Sequence, residues 1–444
     1  MVYGHAVTLL PAALLLAAAR PASAADDDAT ALLKRTTANV TANDTHIQNY
    51  TCVETVSRDY FEPAASTLAR SCSWLLEQRQ RPTPDMVLRL ESTDRLRLDV
   101  TTAERGEIFS WAGASHFDDS GVENVVREGP IGSGAFGAFL SVIFGSDAKR
   151  FIYEGTTTVD GRRLAQYFFD VVLADSHYMV KLKDGVNRVP TAYSGSVLVD
   201  PETADPVRLT LQTAELPEAT GSCQTVASLT YGRVKIGDRE LLLPTSARQR
   251  FISRDGRETE NTTSFTGCRE YSSESTVNFF QEADARPANG AAAGPAIPKS
   301  IPGGLRLTFQ LTRPIETDAA AAGDRFTAKL TEPLREGRTV LAPKGVLLEG
   351  RITMVKTFHR PKHEVVLGLA PRNIEIKGSK VALAALPDQR AILLEMRRNR
   401  QKGLAIFLPP RGDYSGIFRA SGTHVVFRSG FVSEWVTMLE RRSR

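Results

Sequence analysis

The chain lacks the sequence signatures of the common catalytic sites. Its 444 residues contain no G-x-S-x-G, H-E-x-x-H or P-loop pattern, and no S-x-x-K with its partner motifs. The acidic pair Asp118 and Asp119 precedes a Ser-Gly turn. Ser176 and His177 adjoin in a predicted strand, where their side chains would point to opposite faces. The sequence therefore predicts no enzyme, although catalytic residues that converge from distant strands stay an open alternative.

Cysteine is scarce, and its spacing argues against a metal site. The chain has four cysteines, Cys52, Cys72, Cys223 and Cys268, with no C-x-x-C pair, and its seven histidines are scattered. An even number of cysteines in an exported chain indicates disulfides. Three pairings are possible, and we expect Cys52–Cys72, across an apparent hairpin, together with Cys223–Cys268. Neither a metal nor a cofactor is predicted.

Long apolar runs are also missing, which excludes membrane-spanning helices beyond the N-terminus. Residues 6–19 form an apolar run of about 14 residues, shorter than the about 20 that a span requires. The small-x-small pattern at 22–24 follows it. We expect a cleaved signal peptide over residues 1–24 and a periplasmic or otherwise exported protein, soluble or peripherally attached to the envelope. Because no Lys or Arg precedes the run, a buried or anchoring helix is the alternative.

Charge divides the chain into two parts. Residues 1–299 carry a net −8, whereas residues 300–444 hold 25 Lys and Arg against 13 Asp and Glu, a net +12. An Ala/Gly/Pro-rich stretch between them has no apolar period. We expect a first domain over 25–282, a linker over 283–303 and a basic domain over 304–444. Outside the cytosol, the basic part favours an anionic surface or an acidic partner, or only a solvated surface. Nucleic acid is not expected.

Strands dominate the first part. Period-two alternation at 95–100 (RLRLDV) and 207–211 (VRLTL) gives one apolar and one polar face, as in antiparallel sheet. The pairs Asp160-Gly161 and Asp255-Gly256 fit hairpin turns, because type I′ turns require positive φ at both central residues. A helix over about 29–49 precedes the strands. The expected fold is mainly β (α+β), built on one large antiparallel sheet.

One segment, residues 134–145, breaks the strand pattern. Its apolar side chains recur at helical spacing and share one stripe, which must pack on another surface. It is either an ordinary core helix or a lid over an apolar cavity that takes an acyl chain. The lid interpretation makes these the candidate ligand-binding residues: Phe136, Phe139, Leu140, Ile143 and Phe144.

The same region contains a dinucleotide-like motif. Residues 132–137 (GSGAFG) match G-x-G-x-x-G, and Glu154 follows roughly 20 residues later. A dinucleotide site needs the motif inside a parallel β-α-β unit, whereas the surroundings predict antiparallel hairpins. We expect the glycines to allow a tight turn and close helix packing instead.

Residues 50–279 resemble the LolA-type periplasmic lipoprotein-carrier superfamily, which includes outer-membrane lipoprotein-sorting proteins. The resemblance lies in the leading helix, the meander, the interrupting apolar helix, and the stretches 129–137 (GPIGSGAFG), 199–203 (VDPET) and 243–247 (LPTSA). It implies an incomplete β-barrel with helices covering a hydrophobic cavity for lipid chains. This chain departs from the family in its cysteines and in its extra domain.

The basic part predicts a small all-β barrel or sandwich, because short strands alternate with Pro, Gly and charged turns. It resembles the β-barrel domain of TrbI-type envelope scaffold proteins at 301–304 (IPGG), 323–326 (GDRF) and 341–345 (LAPKG). His359 and His363 flank Pro361, which favours a hairpin loop over a helical metal pair. A basic patch follows, in an exposed loop that could contact phosphate or an acidic partner: Arg397, Arg398, Arg400 and Lys402.

These patterns predict a non-enzymatic cell-envelope protein that binds a lipid, lipoprotein or other hydrophobic ligand in a half-barrel cavity. The alternative is a structural or interaction protein whose cavity is filled by its own side chains. Its basic β-domain would then dock on an anionic surface or on an envelope protein partner.

Overall fold

The computed structural model describes residues 24–64, 71–80, 87–103, 106–114, 117, 121–270, 301–388, 404–407 and 415–439. Within these ranges the chain is mainly β, as predicted, and its helices all lie in the first part of the sequence.

The first part forms one large antiparallel sheet. Its strands are β1 (Tyr50–Pro63), β2 (Leu88–Ala103), β3 (Gly106–Trp111), β4 (Phe151–Val159), β5 (Arg162–Val171), β6 (Met179–Lys181), β7 (Arg188–Pro190), β8 (Tyr193–Val199), β9 (Pro206–Thr213), β10 (Ser222–Ile236), β11 (Arg239–Ser253) and β12 (Glu258–Glu270). The spatial order is β3-β2-β1-β12-β11-β10-β9-β8-β5-β4, while β6 and β7 form a separate hairpin. Since β3 and β4 do not pair with each other in the described ranges, the sheet stays open. This confirms the incomplete barrel.

Local sequence explains the strands and their turns. The predicted alternating runs lie within β2 and β9. Asp160 and Gly161 form the two-residue turn between β4 and β5, with φ values of 50° and 77°. Positive φ at both positions is what the Asp-Gly pair predicted.

α-Helices pack against this sheet in two separate hydrophobic clusters. They are α1 (Ala24–Ile47), α2 (Cys72–Gln80), α3 (Val122–Val125) and α4 (Ala138–Val142), which continues into a π-helical turn over Ile143–Asp147. The inner face of the sheet is the one on which Leu32 and Val40 of α1 join Leu98 and Leu229 in a shared hydrophobic cluster. Among the described residues, no helix combines the length and apolarity needed to cross a bilayer.

The disulfides differ from the predicted pairing. Cys52 bonds to Cys268 and Cys72 bonds to Cys223, so the expected Cys52–Cys72 and Cys223–Cys268 bridges are wrong. The first strand pairs with the last strand of the sheet, which places Cys52 and Cys268 with Cα atoms 4.0 Å apart. Cys72 begins α2 rather than ending a hairpin, and α2 lies against β10 and β11 through Leu75 and Ile252.

The second part forms a smaller antiparallel arrangement. Its strands are β13 (Arg306–Leu311), β14 (Ile315–Glu316), β15 (Arg325–Leu330), β16 (Leu334–Glu336), β17 (Thr339–Ala342), β18 (Leu347–Phe358), β19 (Glu364–Ile376), β20 (Ser379–Ala382), β21 (Ala384–Pro387), β22 (Leu404–Phe407), β23 (Gly416–Ser421), β24 (Val426–Phe427) and β25 (Val432–Met438). Pairings run from β25 through β13, β15, β18 and β19 to β20, and β21 returns to β25. A second hydrophobic cluster, which contains Phe309, Phe418 and Trp435, fills this ring.

The two parts meet along the outer edge of β2. Residues Lys356, Thr357 and Phe358 of β18 pair with Asp94, Thr93 and Ser92 of β2. Next to this ladder, the Arg97 N–H donates to the Ala322 carbonyl at 2.7 Å, and the Ala322 N–H donates to the Arg95 carbonyl at 2.8 Å. The second part therefore covers the portion of the β2 edge that β3 does not pair with.

The predicted signal peptide and linker lie almost wholly outside the described residues. The first described residue is Ala24, and of the linker only the last three residues, from Ile301, are described. The domain boundaries stay predictions.

Candidate ligand-binding site

A groove opens on the inner face, between the first turns of α1 and strands β4 and β5. Its volume is about 850 Å³, and it is lined by Asp28, Ala29, Ala31, Leu32, Arg35, Tyr153, Thr156, Gly161, Arg162, Arg163, Ala165, Tyr167, Asp200, Pro201 and Glu202. Ligand pockets in proteins commonly measure about 300–1,000 Å³. The groove is therefore large enough for a ligand the size of a lipid chain.

The floor of the groove is aromatic and aliphatic. The rings of Tyr153 and Tyr167 lie 5.5 Å apart between centroids, and Leu32 and Ala165 are buried beside them. The Tyr167 hydroxyl donates to the Ala29 carbonyl at 2.7 Å, which fixes α1 above the sheet. This floor offers apolar surface without placing an unpaired hydroxyl of Tyr167 against a ligand.

The rim carries charges of both signs. Arg162 pairs with Asp200, and Arg35 Nη2 donates to the Glu202 carbonyl at 3.0 Å. Burial would raise the pKa of Asp200, but hydrogen bonds from the Glu202 N–H and from Arg162 hold that pKa below its ordinary value. Arg163 is exposed at the same rim. An apolar floor with a charged rim suits an amphipathic ligand.

None of the five predicted lid residues is among those that line this groove. Phe136, Leu140 and Ile143 are buried, and Phe139 and Phe144 are half-buried. The space between α4 and the C-terminal half of α1 is a cavity of about 10 Å³. A cavity of that size holds about one water molecule.

The aromatic side chains of the α4 stripe pack against other aromatic side chains of the same protein. Ring pairs join Phe139 to Tyr178 at 5.7 Å and Phe144 to Phe151 at 5.0 Å. Phe136 contacts Phe265 at 6.0 Å. These contacts explain the helical spacing of the stripe by core packing, and the ligand-binding role of its residues stays a prediction.

The glycine-rich loop binds an internal carboxylate. The N–H groups of Gly134, Gly137 and Ala138 donate to Glu107 of β3 at 2.6, 2.9 and 3.3 Å. Gly134 has a φ of 100°, a conformation that favours glycine. The loop thus presents its N–H groups as a phosphate-binding loop does, but Glu107 fills the position that a phosphate would take.

A buried acid neighbours Glu107, which is itself half-buried. Glu54 of β1 is 5% exposed, and burial, followed by the charge of Glu107, raises the pKa of Glu54 to about 8. Burial also raises the pKa of Glu107, against the effect of the loop N–H groups. At neutral pH the Glu54 carboxyl therefore keeps its proton.

A polar clasp fixes the end of the α4 region. The buried Asp147 carboxylate accepts hydrogen bonds from the His177 N–H at 2.9 Å and the Tyr193 hydroxyl at 2.8 Å, and its Oδ1 lies 2.6 Å from His177 Nδ1. Burial raises the pKa of Asp147, but these hydrogen bonds outweigh it and the pKa is lowered. The clasp joins α4 to the segment between β5 and β8.

The prediction that Ser176 and His177 lie in a strand is wrong. They follow a short 3-10 turn over Leu173–Asp175, because the chain leaves the sheet after β5. The Ser176 hydroxyl donates to the Thr191 carbonyl at 2.6 Å, whereas His177 faces Asp147. The two side chains have different partners and do not form a nucleophile–base couple.

Other predicted residues have simple positions. His359 and His363 lie in the hairpin loop between β18 and β19, as expected, with ring centroids 6.4 Å apart. The basic patch at 397–402 lies outside the described residues. In the ranges that the structure covers, no group of three or more His, Cys, Asp or Glu side chains is placed to hold a metal ion.

No protein-family profile and no curated protein matches the chain. Among solved structures it is similar to an outer membrane lipoprotein-sorting protein domain from Vibrio parahaemolyticus, at 9% identity and a TM-score of 0.25, over 54% of this chain and 94% of that one. A DUF1329 family protein from Desulfovibrio piger matches at 12% identity and a TM-score of 0.26, over 56% of this chain and 98% of that one. MucB in the Pseudomonas aeruginosa MucA/MucB complex matches at 12% identity and a TM-score of 0.16, over 93% of this chain and 94% of that one. TM-scores this low carry no argument, so function is inferred from the contacts of this chain.

Proposed function

We propose that this chain is a non-catalytic cell-envelope protein that binds a lipid, lipoprotein or other hydrophobic ligand in the groove between α1, β4 and β5. The observation that carries the proposal is the groove itself, with its volume of about 850 Å³, its Tyr153–Tyr167 floor and its charged rim. The apolar floor would take an acyl chain, and the rim would leave a polar head group in water. Location in the envelope is supported by the predicted signal peptide and by two disulfides, which persist in oxidising compartments.

The test fills the groove without disturbing the core. Ala31 is exposed on α1 and lines the groove, so Ala31→Trp should block it. Ala38 is exposed seven residues later on the same helical face, beyond the groove, and Ala38→Trp is the matched control. Each protein is purified from periplasm without detergent, and its organic extract is analysed by mass spectrometry.

We expect the wild type and Ala38→Trp to retain a stoichiometric amphiphile, and Ala31→Trp to lose it. A fluorescent fatty acid added to the delipidated proteins should bind in the same order. If Ala31→Trp binds the probe as tightly as Ala38→Trp, the groove is not the ligand site. If the wild type neither retains nor binds an amphiphile, the proposed function fails.

The filled stripe of α4 supports a second candidate, a structural or interaction protein. Its basic second part would dock on an anionic surface or on an envelope protein partner, with the inner face serving only as core. Such docking should weaken steeply as ionic strength rises, because salt screens exposed charges. Association that is insensitive to salt would argue against it.

A further inference from the structure

The segment between β5 and β8 exposes an unusual amount of apolar surface. Val172, Leu173, Met179 and Val186 are 55%, 56%, 47% and 81% exposed. They lie on one unit outside the large sheet, which consists of the 3-10 turn after β5 and the β6–β7 hairpin. Large exposed hydrophobic side chains that cluster in this way mark an interaction surface rather than ordinary scatter.

Cations share the exposed face of the hairpin. Lys181 lies opposite Arg188, and Met179 lies opposite Pro190, so these four side chains project from one face. Lys183 lies in the turn that follows β6, with its side-chain stem beside Gly221.

Two acids near this face are engaged, whereas Asp170 and Asp175 flank Val172 and Leu173 in the chain. Glu123 pairs with Arg188, and Asp184 accepts the N–H groups of Val186 and Asn187 within its own turn. Lys181 and Lys183 are exposed and form no ion pair in the described ranges, although Asp184 lies near Lys181. Lys149 and Arg150, next to the clasp, are exposed as well.

The unit is held rigidly against the rest of the protein. The Thr191 N–H donates to the Tyr178 carbonyl at 3.0 Å, and the Lys183 N–H donates to the Ala219 carbonyl at 2.9 Å. Tyr178 stacks on Phe139 of α4, and His177 binds Asp147 in the clasp. The apolar side chains are therefore presented to solvent by a fixed scaffold.

We propose that this unit docks the protein on the surface of an anionic lipid bilayer. Val172, Leu173, Met179 and Val186 enter the boundary between head groups and acyl chains, while Lys181 and Lys183 contact lipid phosphates. Apolar side chains flanked by cations are the combination that interfacial binding requires. The inference goes beyond ligand binding in the groove and does not depend on it, since the two surfaces use different residues.

The test is co-sedimentation of the full chain with vesicles. Phosphatidylcholine vesicles with and without phosphatidylglycerol are compared, using the double variant Val172→Asp/Leu173→Asp. The matched control is Val340→Asp/Leu347→Asp, which changes two similarly exposed apolar residues in the second part, 44% and 51% exposed. Circular dichroism and retention of both disulfides verify the fold of each variant.

We expect the wild type and the control to bind the anionic vesicles, and Val172→Asp/Leu173→Asp to bind at least about tenfold more weakly, since each lost apolar insertion is worth that much. Lys181→Gln/Lys183→Gln should weaken binding to anionic vesicles and reduce its salt dependence. Equal binding to both vesicle types, equal loss in the control variant, or no binding by the wild type would each overturn the proposal. Ala31→Trp should still sediment with the vesicles, which separates failure of docking from failure of the groove.

Discussion

At the scale of single residues, two carboxyl groups lie close together at the glycine-rich loop. Glu107 accepts hydrogen bonds from the N–H groups of Gly134, Gly137 and Ala138. Its charge also raises the pKa of Glu54, after the larger effect of burial. Ionising both of these neighbouring carboxyl groups would cost a large free energy of charge repulsion and desolvation, so one of them keeps its proton. The pKa of Glu54, raised to about 8, makes this arrangement sensitive to pH near neutrality.

Glu54→Gln should make folding stability less dependent on pH. The pKa of Glu54 rises from an ordinary 4.5 to about 8 on folding, so the native protein holds a proton that the unfolded chain has released. The free energy of unfolding of the wild type therefore falls between these two pH values, by up to about 1.4 kcal/mol per pH unit from this residue. Glutamine cannot ionise and should remove that loss. Urea unfolding at pH 5, 6.5 and 8 measures the free energy of unfolding of each protein.

Glu240→Gln is the matched control, since Glu240 is an exposed carboxylate on β11 of the same sheet. It should leave the wild-type pH dependence unchanged. A Glu54→Gln protein whose stability falls with pH as steeply as that of the wild type would contradict the burial of a neutral acid at this position.

At the scale of elements, α4 is held at both ends by backbone and side-chain hydrogen bonds. The glycine loop fixes its start on Glu107, and the clasp of Asp147, His177 and Tyr193 fixes the π-helical turn that follows it. The same clasp orients the β6–β7 unit. Movement of α4 therefore requires that these polar contacts open together.

Asp147→Asn should loosen the clasp. Asn keeps the shape but loses the charge that favours the hydrogen bonds from His177 and Tyr193, with an expected loss of about 1–3 kcal/mol of stability. Because hydrogen bonds lower the pKa of Asp147, the wild type should also lose this contribution as acidic pH protonates the carboxylate. Hydrogen exchange at residues 143–147 and 176–178 reports the local opening.

Tyr193→Phe removes one of these hydrogen bonds and keeps the ring, so it should cost only about 1 kcal/mol. Equal protection from exchange in the wild type and in Asp147→Asn would show that ring stacking, and not the carboxylate, holds α4 in place.

At the scale of the whole molecule, the edge of β2 joins the two parts. Gly323 lies at the centre of this junction with a φ of 105°, and a Cβ there would come within 2.2 Å of the Arg97 carbonyl oxygen. Arg97 also pairs with Asp324, and Arg351 Nη1 donates to the Ala112 carbonyl at 3.1 Å. The junction is therefore a close backbone contact supported by arginines from both parts.

Gly323→Ala should separate the two parts. Gly345→Ala is the matched control, because Gly345 has a similar φ of 88° but open space around a new Cβ. Both variants incur a backbone cost of about 1–2 kcal/mol for a left-handed alanine, whereas only Gly323→Ala should expand the molecule in solution X-ray scattering and expose the junction to protease. Identical scattering from the two variants would show that the junction tolerates the side chain.

Much of the local structure follows from neighbouring residues. Alternating runs specify β2 and β9, Asp160-Gly161 specifies its hairpin, and the helical spacing of Phe136 to Phe144 specifies α4. These patterns depend on side-chain periods and on the conformational range of glycine, which act within a few residues.

The groove and the partner of the glycine loop could not be predicted from the sequence. The groove combines α1 with β4, β5 and the turn after β8, and nothing near Glu107 in the sequence marks it as the acceptor for Gly134. The nearest available signal was the dinucleotide-like motif, which indicated N–H groups arranged for an anion but not which anion.

The sequence by itself determined the alternating strands β2 and β9, the Asp160-Gly161 turn, the helical spacing of the aromatic stripe and the even set of cysteines. Only the tertiary structure decided that Cys52 meets Cys268 and that β18 extends the edge of β2. The reason is the order of strands in the sheet, which brings together residues far apart in sequence, such as Cys52 and Cys268 at a separation of 216 positions. Local periods specify which residues face inward, but closure and pairing depend on the free energy of the whole packed sheet.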